Sequence, residues 1–352
     1  MTSQRCKQIM AGAAIVLGIS GGLALAASYR KANTAAISTD FVMDTFVEQK
    51  LYGENAQAAV REISVKMREF EQAFSMHLED SEISKLNAAA GGEAVELSEP
   101  VYELLKRSKE LSLQSQGAFD VTIAPLTRAW GITSEDPSVP SEQARTAAMD
   151  LVDANDLILE EGTARLVREG QAVDLGGIAK GAACDIVRET AEKYGIDCGY
   201  VSIGGNMIVL EEKPLGRDFY FGVRDPAGGA TDSICALTLY GKTMATTGAY
   251  ERYFEEDGVI YHHVLDPQTG WPADSDLLSV SVISEDGALA DYLSTTLFVL
   301  GKETVLSCLG RTDFAVIAIG EDGKIYCSAS LEDQLQPTEH SSNYEFVYGE
   351  KQ

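Results

Sequence analysis

Asp291 and Thr295 lie four residues apart in an apolar run, 287–300, that reads as a helix. A carboxylate and a hydroxyl therefore share one helix face. With the oxygens of a bound phosphate they form a donor set that suits Mg²⁺, which takes hard oxygen ligands and keeps several waters. The same spacing also makes an ordinary polar stripe. A second group is Asp174-Leu-Gly-Gly-Ile-Ala-Lys180-Gly. A strand ends at Val173, two glycines open the backbone, and a helix begins. Bare amides at a helix start, with Lys180 beside them, can hold phosphate oxygens. The spacing is neither that of a P-loop nor G-x-G-x-x-G, and a plain strand-to-helix turn is built the same way. A third group is Tyr261-His262-His263-Val-Leu-Asp266-Pro. A histidine poised near neutral pH can take a proton from a hydroxyl. Neighbouring residues on a strand point to opposite faces, which argues against a dinuclear metal site on the pair. The alternative is a surface strand with two half-exposed imidazoles. The glycine turns at 202–206 and 245–250 let a ligand approach the backbone. Asp120, in the stretch 117–122, can hold a ribose or an amide edge. Each of these is equally a simple connection.

The elements that must position these groups are partly readable. Residues 40–53 alternate as a strand. Val60, Ile63, Met67, Phe70 and Phe74 recur at steps of 3 and 4, one face of an amphipathic helix over 55–77. A second helix opens at Ser98, with Pro100 just inside, and stops at Gly117; a shorter one follows Pro140. Residues 157–160 and 164–167 read as a hairpin around Glu161-Gly162. Strands follow at 198–210, 219–223, 234–240, 259–265, 277–283 and 314–319. Two helices interrupt them at 178–194 and 287–300, with Gly195 and Gly301 placed as C-terminal caps. Strands and helices mix without strict alternation, so the expected fold is α+β, with mixed sheets and packed helices in a single large domain over 39–330. Residues 28–38 read as a linker and 331–352 as a polar, loose tail.

The 352-residue chain carries 28 Lys and Arg against 54 Asp and Glu, a net charge of −26. This excludes a general nucleic-acid binder, which needs clustered bases, and disfavours adsorption to anionic lipid. Residues 1–38 hold four basic residues and no acidic one, so the remaining 314 carry −30. Arg5 and Lys7 precede residues 9–27, an uncharged run of nineteen. That is a signal peptide, with Ala24-Leu25-Ala26 suited to cleavage, or an uncleaved membrane anchor. Either exports the rest of the chain. The six cysteines show no C-x-x-C pair and no zinc spacing. They read mostly as packing residues, with a Cys184–Cys198 disulfide as the alternative.

The order of the motifs is more specific than any one of them. FVMDT (41–45), DSEISKLN (80–87), GAFDVTIAPL (117–126), AVDLGGIAKG (172–181), YVSIGGN (200–206), GVRDP (222–226), ATTGAYERYF (245–254), HHVLDPQTG (262–270) and ALADYLSTTLFVLG (288–301) succeed one another. Together they resemble the ApbE family of FAD:protein FMN transferases over about residues 40–330. The resemblance implies Mg²⁺-dependent cleavage of FAD at its pyrophosphate. FMN would pass to a Thr or Ser hydroxyl of an acceptor protein, and AMP would be released. It implies metal ligands at Asp291, Thr295 and the carbonyl of Gly177. It implies FAD contacts at Met43, Ala118, Phe119, Asp120, Asp174, Lys180 and Leu265, and His263 as the base for the acceptor hydroxyl. The implied acceptors are exported flavoproteins or subunits of membrane redox complexes. Two positions depart from the family pattern. Asp44 stands where M-G-T has glycine, and His77 stands where a tyrosine stacking on the flavin nucleotide is common. With water as acceptor, the same site would be an FAD pyrophosphatase. An exported FAD-binding protein without catalysis would use it with no AMP release.

Overall fold

The structure, a computed structural model, describes every residue except 1–33, 133, 135, 213–217, 230 and 352. The chain opens with strands β1 (Ala35–Val42) and β2 (Thr45–Tyr52), then helices α1 (Ala56–Phe74) and α2 (Glu82–Ala88). The expected single strand over 40–53 is thus a hairpin folded at Met43-Asp44, with Val42 opposite Thr45. Half of β1, residues 35–38, lies in the stretch read as a linker. No Asn-Gly or Asp-Gly marks the turn, so its usual signal is missing. The helical face holds: Val60, Ile63, Met67, Phe70 and Phe74 are all buried.

Strand β3 (Val95–Glu96), helices α3 (Glu99–Gln114), α4 (Ala124–Trp130) and α5 (Glu142–Met149), and the hairpin β4 (Leu157–Glu160)–β5 (Thr163–Leu166) follow. Trp130 is fully buried and donates its indole N–H to the Gly270 carbonyl at 2.8 Å, tying α4 to the loop after Asp266. Helix α6 (Ala179–Lys193) leads into β6 (Cys198–Ile203) and β7 (Asn206–Val209), joined through Gly204-Gly205. Then come β8 (Phe221–Arg224), β9 (Ser233–Leu237), β10 (Lys242–Gly248), β11 (Tyr253–Glu256), β12 (Val259–His262) and β13 (Leu277–Ser284). Residues 245–248, expected in a glycine turn, are instead the heart of β10. Its threonines are good strand formers, and the hydroxyls of Thr246 and Thr247 are met by Ser281 and Ser294. Helices α7 (Gly287–Leu300) and α8 (Lys302–Cys308) precede β14 (Ala315–Gly320), β15 (Lys324–Cys327), β16 (Leu335–Pro337) and β17 (Glu345–Tyr348).

One nine-stranded sheet runs β1-β2-β6-β7-β10-β13-β14-β15-β17, antiparallel except for the last pair. The C-terminal stretch is therefore part of the sheet and not a loose tail. The edge strand β17 is Glu-Phe-Val-Tyr, with Phe346 and Tyr348 packed on one core and Val347 on another, but four residues within a polar stretch are too few for a period to show. Helices α1, α6 and α7 pack on one face. The small sheet β16-β9-β8 packs on the other, through Val209, Met244, Ile283 and Ile317 against Phe221, Ile234 and Leu237. Every residue of β14 is buried because both its faces are covered. The fold is α+β. The five described cysteines are free thiols, and Cys184, Cys235 and Cys327 are buried packing residues. Among the described residues no helix is long and apolar enough to cross a membrane; residues 9–27 lie outside them.

Candidate active site

A cavity of about 320 Å³ lies where loops from both halves of the chain meet, and every residue that the family resemblance assigns to the site lines it, whereas His262 does not. Its floor is the contact between α6 and α7. Gly181 and Gly287 face each other so closely that a Cβ on Gly181 would sit 2.1 Å from the Gly287 carbonyl oxygen. Only glycine permits this approach. It brings the Gly181 N–H within 2.9 Å of Asp291 Oδ2, a bond to a carboxylate that is 3% exposed. The other oxygen, Oδ1, has no hydrogen-bond partner among the described residues. Asp185 accepts the N–H groups of Gly287 and Ala288 at 2.8 and 3.0 Å, fixing the start of α7 from its neighbour. Burial raises the Asp185 carboxyl above its usual range, against those two bonds.

Thr295 lies one turn beyond Asp291 on the same helix. Its hydroxyl is 3.3 Å from Thr247 Oγ1, which is itself 2.8 Å from Ser294 Oγ. Gly177 abuts it: a Cβ there would be 3.3 Å from Thr295 Oγ1 and 3.1 Å from the Phe119 ring. Asp291, Thr295 and the Gly177 backbone thus gather at one place. Among the described residues no three His, Cys, Asp or Glu side chains cluster as a metal site. A cation here would rely on one carboxylate and neutral oxygens, which suits Mg²⁺ and not a soft metal.

The Asp174 loop wraps the next wall. Asp174 accepts the Gly176 N–H at 2.8 Å and the Thr127 hydroxyl at 3.1 Å, so its carboxylate shapes the turn. Lys180 Nζ rests 3.3 Å from the Gly176 carbonyl, above the turn. Asp120 is likewise occupied by the protein. It accepts from Thr122 N and Oγ1 at 2.8 and 2.6 Å and from Ala154 N at 3.1 Å. Burial nonetheless raises its carboxyl, with these bonds opposing. Its role in the protein is to hold the loop carrying Ala118 and Phe119. Met43 lies on the opposite rim and Leu265 on the loop after β12. His77 stands exposed at the edge.

The two histidines separate. His262 Nε2 is 3.2 Å from the Ala273 carbonyl and its ring meets Phe298 edge-on, a structural placement. His263 lines the cavity, with Nδ1 3.2 Å from the Arg252 carbonyl. A carbonyl only accepts, so Nδ1 carries the proton and Nε2 keeps its lone pair. Burial first, then the charges of Lys180 and Arg252, push this imidazole down to about 4, so it is neutral at physiological pH.

Glu71, Thr247, Glu251 and Arg252 also line the cavity and were not singled out in the sequence. Glu71 sits on the polar side of α1, where nothing in the periodicity distinguishes it. The others fall in ATTGAYERYF, whose order within the motif series was the available signal.

The sequence matches the ApbE family over residues 43–318. A Klebsiella pneumoniae protein named FAD:protein FMN transferase is 33% identical over 301 residues, covering 85% of this chain and 92% of that protein. A Treponema pallidum protein of the same name is 30% identical over 342 residues, covering 91% and 92%. The crystal structure of the ApbE protein from Thermotoga maritima superposes with a TM-score of 0.79 at 32% identity, covering 86% of this chain and 99% of that one. The flavin transferase ApbE from Vibrio cholerae gives 0.76 at 26% identity, covering 86% and 99%. The chain belongs to the ApbE family.

Proposed function

We propose that this protein is a Mg²⁺-dependent transferase that moves FMN from FAD to a Thr or Ser hydroxyl of an acceptor protein and releases AMP. Family membership and the shared name of its relatives, FAD:protein FMN transferase, support flavin transfer. Within the chain the reading is carried by one observation. Residues scattered from Met43 to Thr295, including a buried carboxylate, a neutral imidazole and a lysine, line a single cavity.

The residues present fit the metal. A carboxylate that is 3% exposed, bonded on one oxygen only to a backbone N–H, calls for a cation beside it. Asp291, Thr295 and the Gly177 carbonyl would hold Mg²⁺. Bound there, it would supply positive charge against the pyrophosphate and against the charge that develops on departing AMP. Lys180 and the amides of the Asp174 turn orient the phosphates. The acceptor oxygen bonds to the phosphorus of the FMN half. The bond from that phosphorus to the bridging oxygen breaks, and AMP leaves with that oxygen. His263 Nε2 takes the hydroxyl proton. Exported flavoproteins and subunits of membrane redox complexes are the acceptor class, met on the extracytoplasmic side. The test incubates the protein with FAD, Mg²⁺ and candidate acceptors and reads acceptor mass. No added FMN on any acceptor, with FAD bound, refutes the reading.

His263→Ala should slow transfer by about 10²–10⁴-fold with FAD binding retained. The wild-type kcat/KM should be flat in His263 ionisation from neutral pH downward and fall as pH drops through about 4, where the free enzyme's imidazole gains its proton. Loss of FAD binding in the variant would make His263 a ligand contact instead.

A further inference from the structure

We propose that Glu71 and Arg252 are positioning residues that clamp the Met43–Asp44 turn from its two sides, so that this turn meets the flavin nucleotide as a preformed surface. The proposal rests on the FMN-transfer reading of the cavity. The β1–β2 turn has positive φ at both central residues, 56° at Met43 and 53° at Asp44. That is the backbone of a tight hairpin, normally built from Asn and Gly. A methionine is poorly suited to the left-handed region, and such conformations persist only where surroundings hold them. Here two bonds do so. The Met43 N–H donates to Glu71 Oε1 at 2.8 Å, and Arg252 Nη2 donates to the Asp44 carbonyl at 3.1 Å. Both side chains line the cavity with the turn itself.

Glu71 is the more telling of the two. A carboxylate in a cavity for an anionic dinucleotide repels its own substrate. Among the described residues it forms no ion pair, and its one hydrogen bond is to the turn. Its placement is therefore accounted for by the Met43 N–H. Arg252 does a second thing. Its carbonyl accepts from His263 N at 3.0 Å and lies 3.2 Å from His263 Nδ1. The residue that pins the turn thus also anchors the backbone and ring of the base.

The test separates hydrogen bonding from charge. Glu71→Met keeps the length and loses the acceptor; Glu71→Gln keeps the acceptor and loses the charge. FAD dissociation constants, read by flavin fluorescence, should rise about tenfold in Glu71→Met, as for one lost hydrogen bond to a charged group. Glu71→Gln should bind FAD as tightly as wild type or better. At saturating FAD, kcat of Glu71→Met should stay near wild type, so the loss is confined to KM. Arg252→Met, which removes the donor to the Asp44 carbonyl and leaves its own carbonyl on His263, should raise the FAD dissociation constant in the same way with kcat near wild type. Asp44→Gly, which relaxes the turn, should recover part of the Glu71→Met loss, and it serves if Glu71→Met folds poorly. Tighter FAD binding in both Glu71 variants would show that Glu71 only repels the substrate and would overturn the clamp. Equal weakening in both, or no recovery with Asp44→Gly, overturns it too. Wild type run alongside keeps the two claims apart: absence of FMN transfer there removes the functional reading and leaves the binding comparison standing.

Discussion

Asp291→Ala is expected to abolish Mg²⁺-dependent release of AMP from FAD, a loss of at least about a thousandfold. The carboxylate is the only charged donor in the proposed ligand set, and the neutral oxygens of Thr295 and Gly177 cannot replace its charge. The substitution also leaves the Gly181 N–H without its partner at 2.9 Å, a cost of about 1–3 kcal/mol in stability. Asp291→Asn separates the two effects. It can keep the bond to Gly181 with its carbonyl oxygen and retains the shape, so it should melt close to wild type while losing most activity. Thermal melts and AMP release against Mg²⁺ concentration decide the matter. Full activity in Asp291→Ala, with an unchanged Mg²⁺ midpoint, would remove Asp291 from the metal site.

Gly181→Ala should damage fold and site together. The added Cβ would lie 2.1 Å from the Gly287 carbonyl oxygen and 2.7 Å from Asp291 Cβ, while a Cβ on Gly287 would lie 2.4 Å from the Gly181 carbonyl oxygen. These neighbours are backbone or sit against it, so no flexible side-chain end can move aside. The start of α6 must move away from α7 instead. Overpacking of this kind costs about 3 kcal/mol, which for a domain of this size lowers the melting temperature by roughly 5 °C. The same displacement pulls the Gly181 N–H from Asp291, so the Mg²⁺ midpoint should rise even well below the melting temperature. A variant with wild-type melting and a wild-type midpoint would mean that the helices approach less closely than the structure indicates. Destabilisation without a change in the midpoint would separate helix packing from the metal site.

The parts of the fold legible in the sequence are those whose signal is local. The buried face of α1 is written in five apolar residues at helical spacing, and α7 has the bounds expected of it, closed by Gly301 at φ 79°. The seven-residue helices α2, α4 and α8 were not anticipated, since two turns hold too few apolar positions for a period to show. The β1–β2 hairpin was hidden because its turn is Met-Asp, held by Glu71 and Arg252 from distant parts of the chain. Strand β10 was read as a turn because of its glycine, which in the structure is Gly248 at the strand's last position, after Thr246 and Thr247 have met Ser281 and Ser294.

The candidate site divides in the same way. The sequence alone determined which residue types were available, and in what order: a carboxylate and hydroxyl on one helix, a glycine turn with a lysine, a histidine before an Asp-Pro turn. It also determined that residues 39–352 carry −30 and that residues 1–38 hold four bases and no acid. The tertiary structure decided which of these groups face one another. It assigned Asp120 and Asp174 largely to shaping loops, turned His262 toward Ala273, left His263 Nε2 without a partner among the described residues, and brought Glu71 into a wall that no motif marked. The reason is physical. Periodicity records that a face will be buried, and glycine records that the backbone needs room. Neither records the partner, because that is set by contacts between residues apart in sequence, from 28 positions for Met43 and Glu71 to 110 for Gly181 and Asp291 and 208 for Asp44 and Arg252.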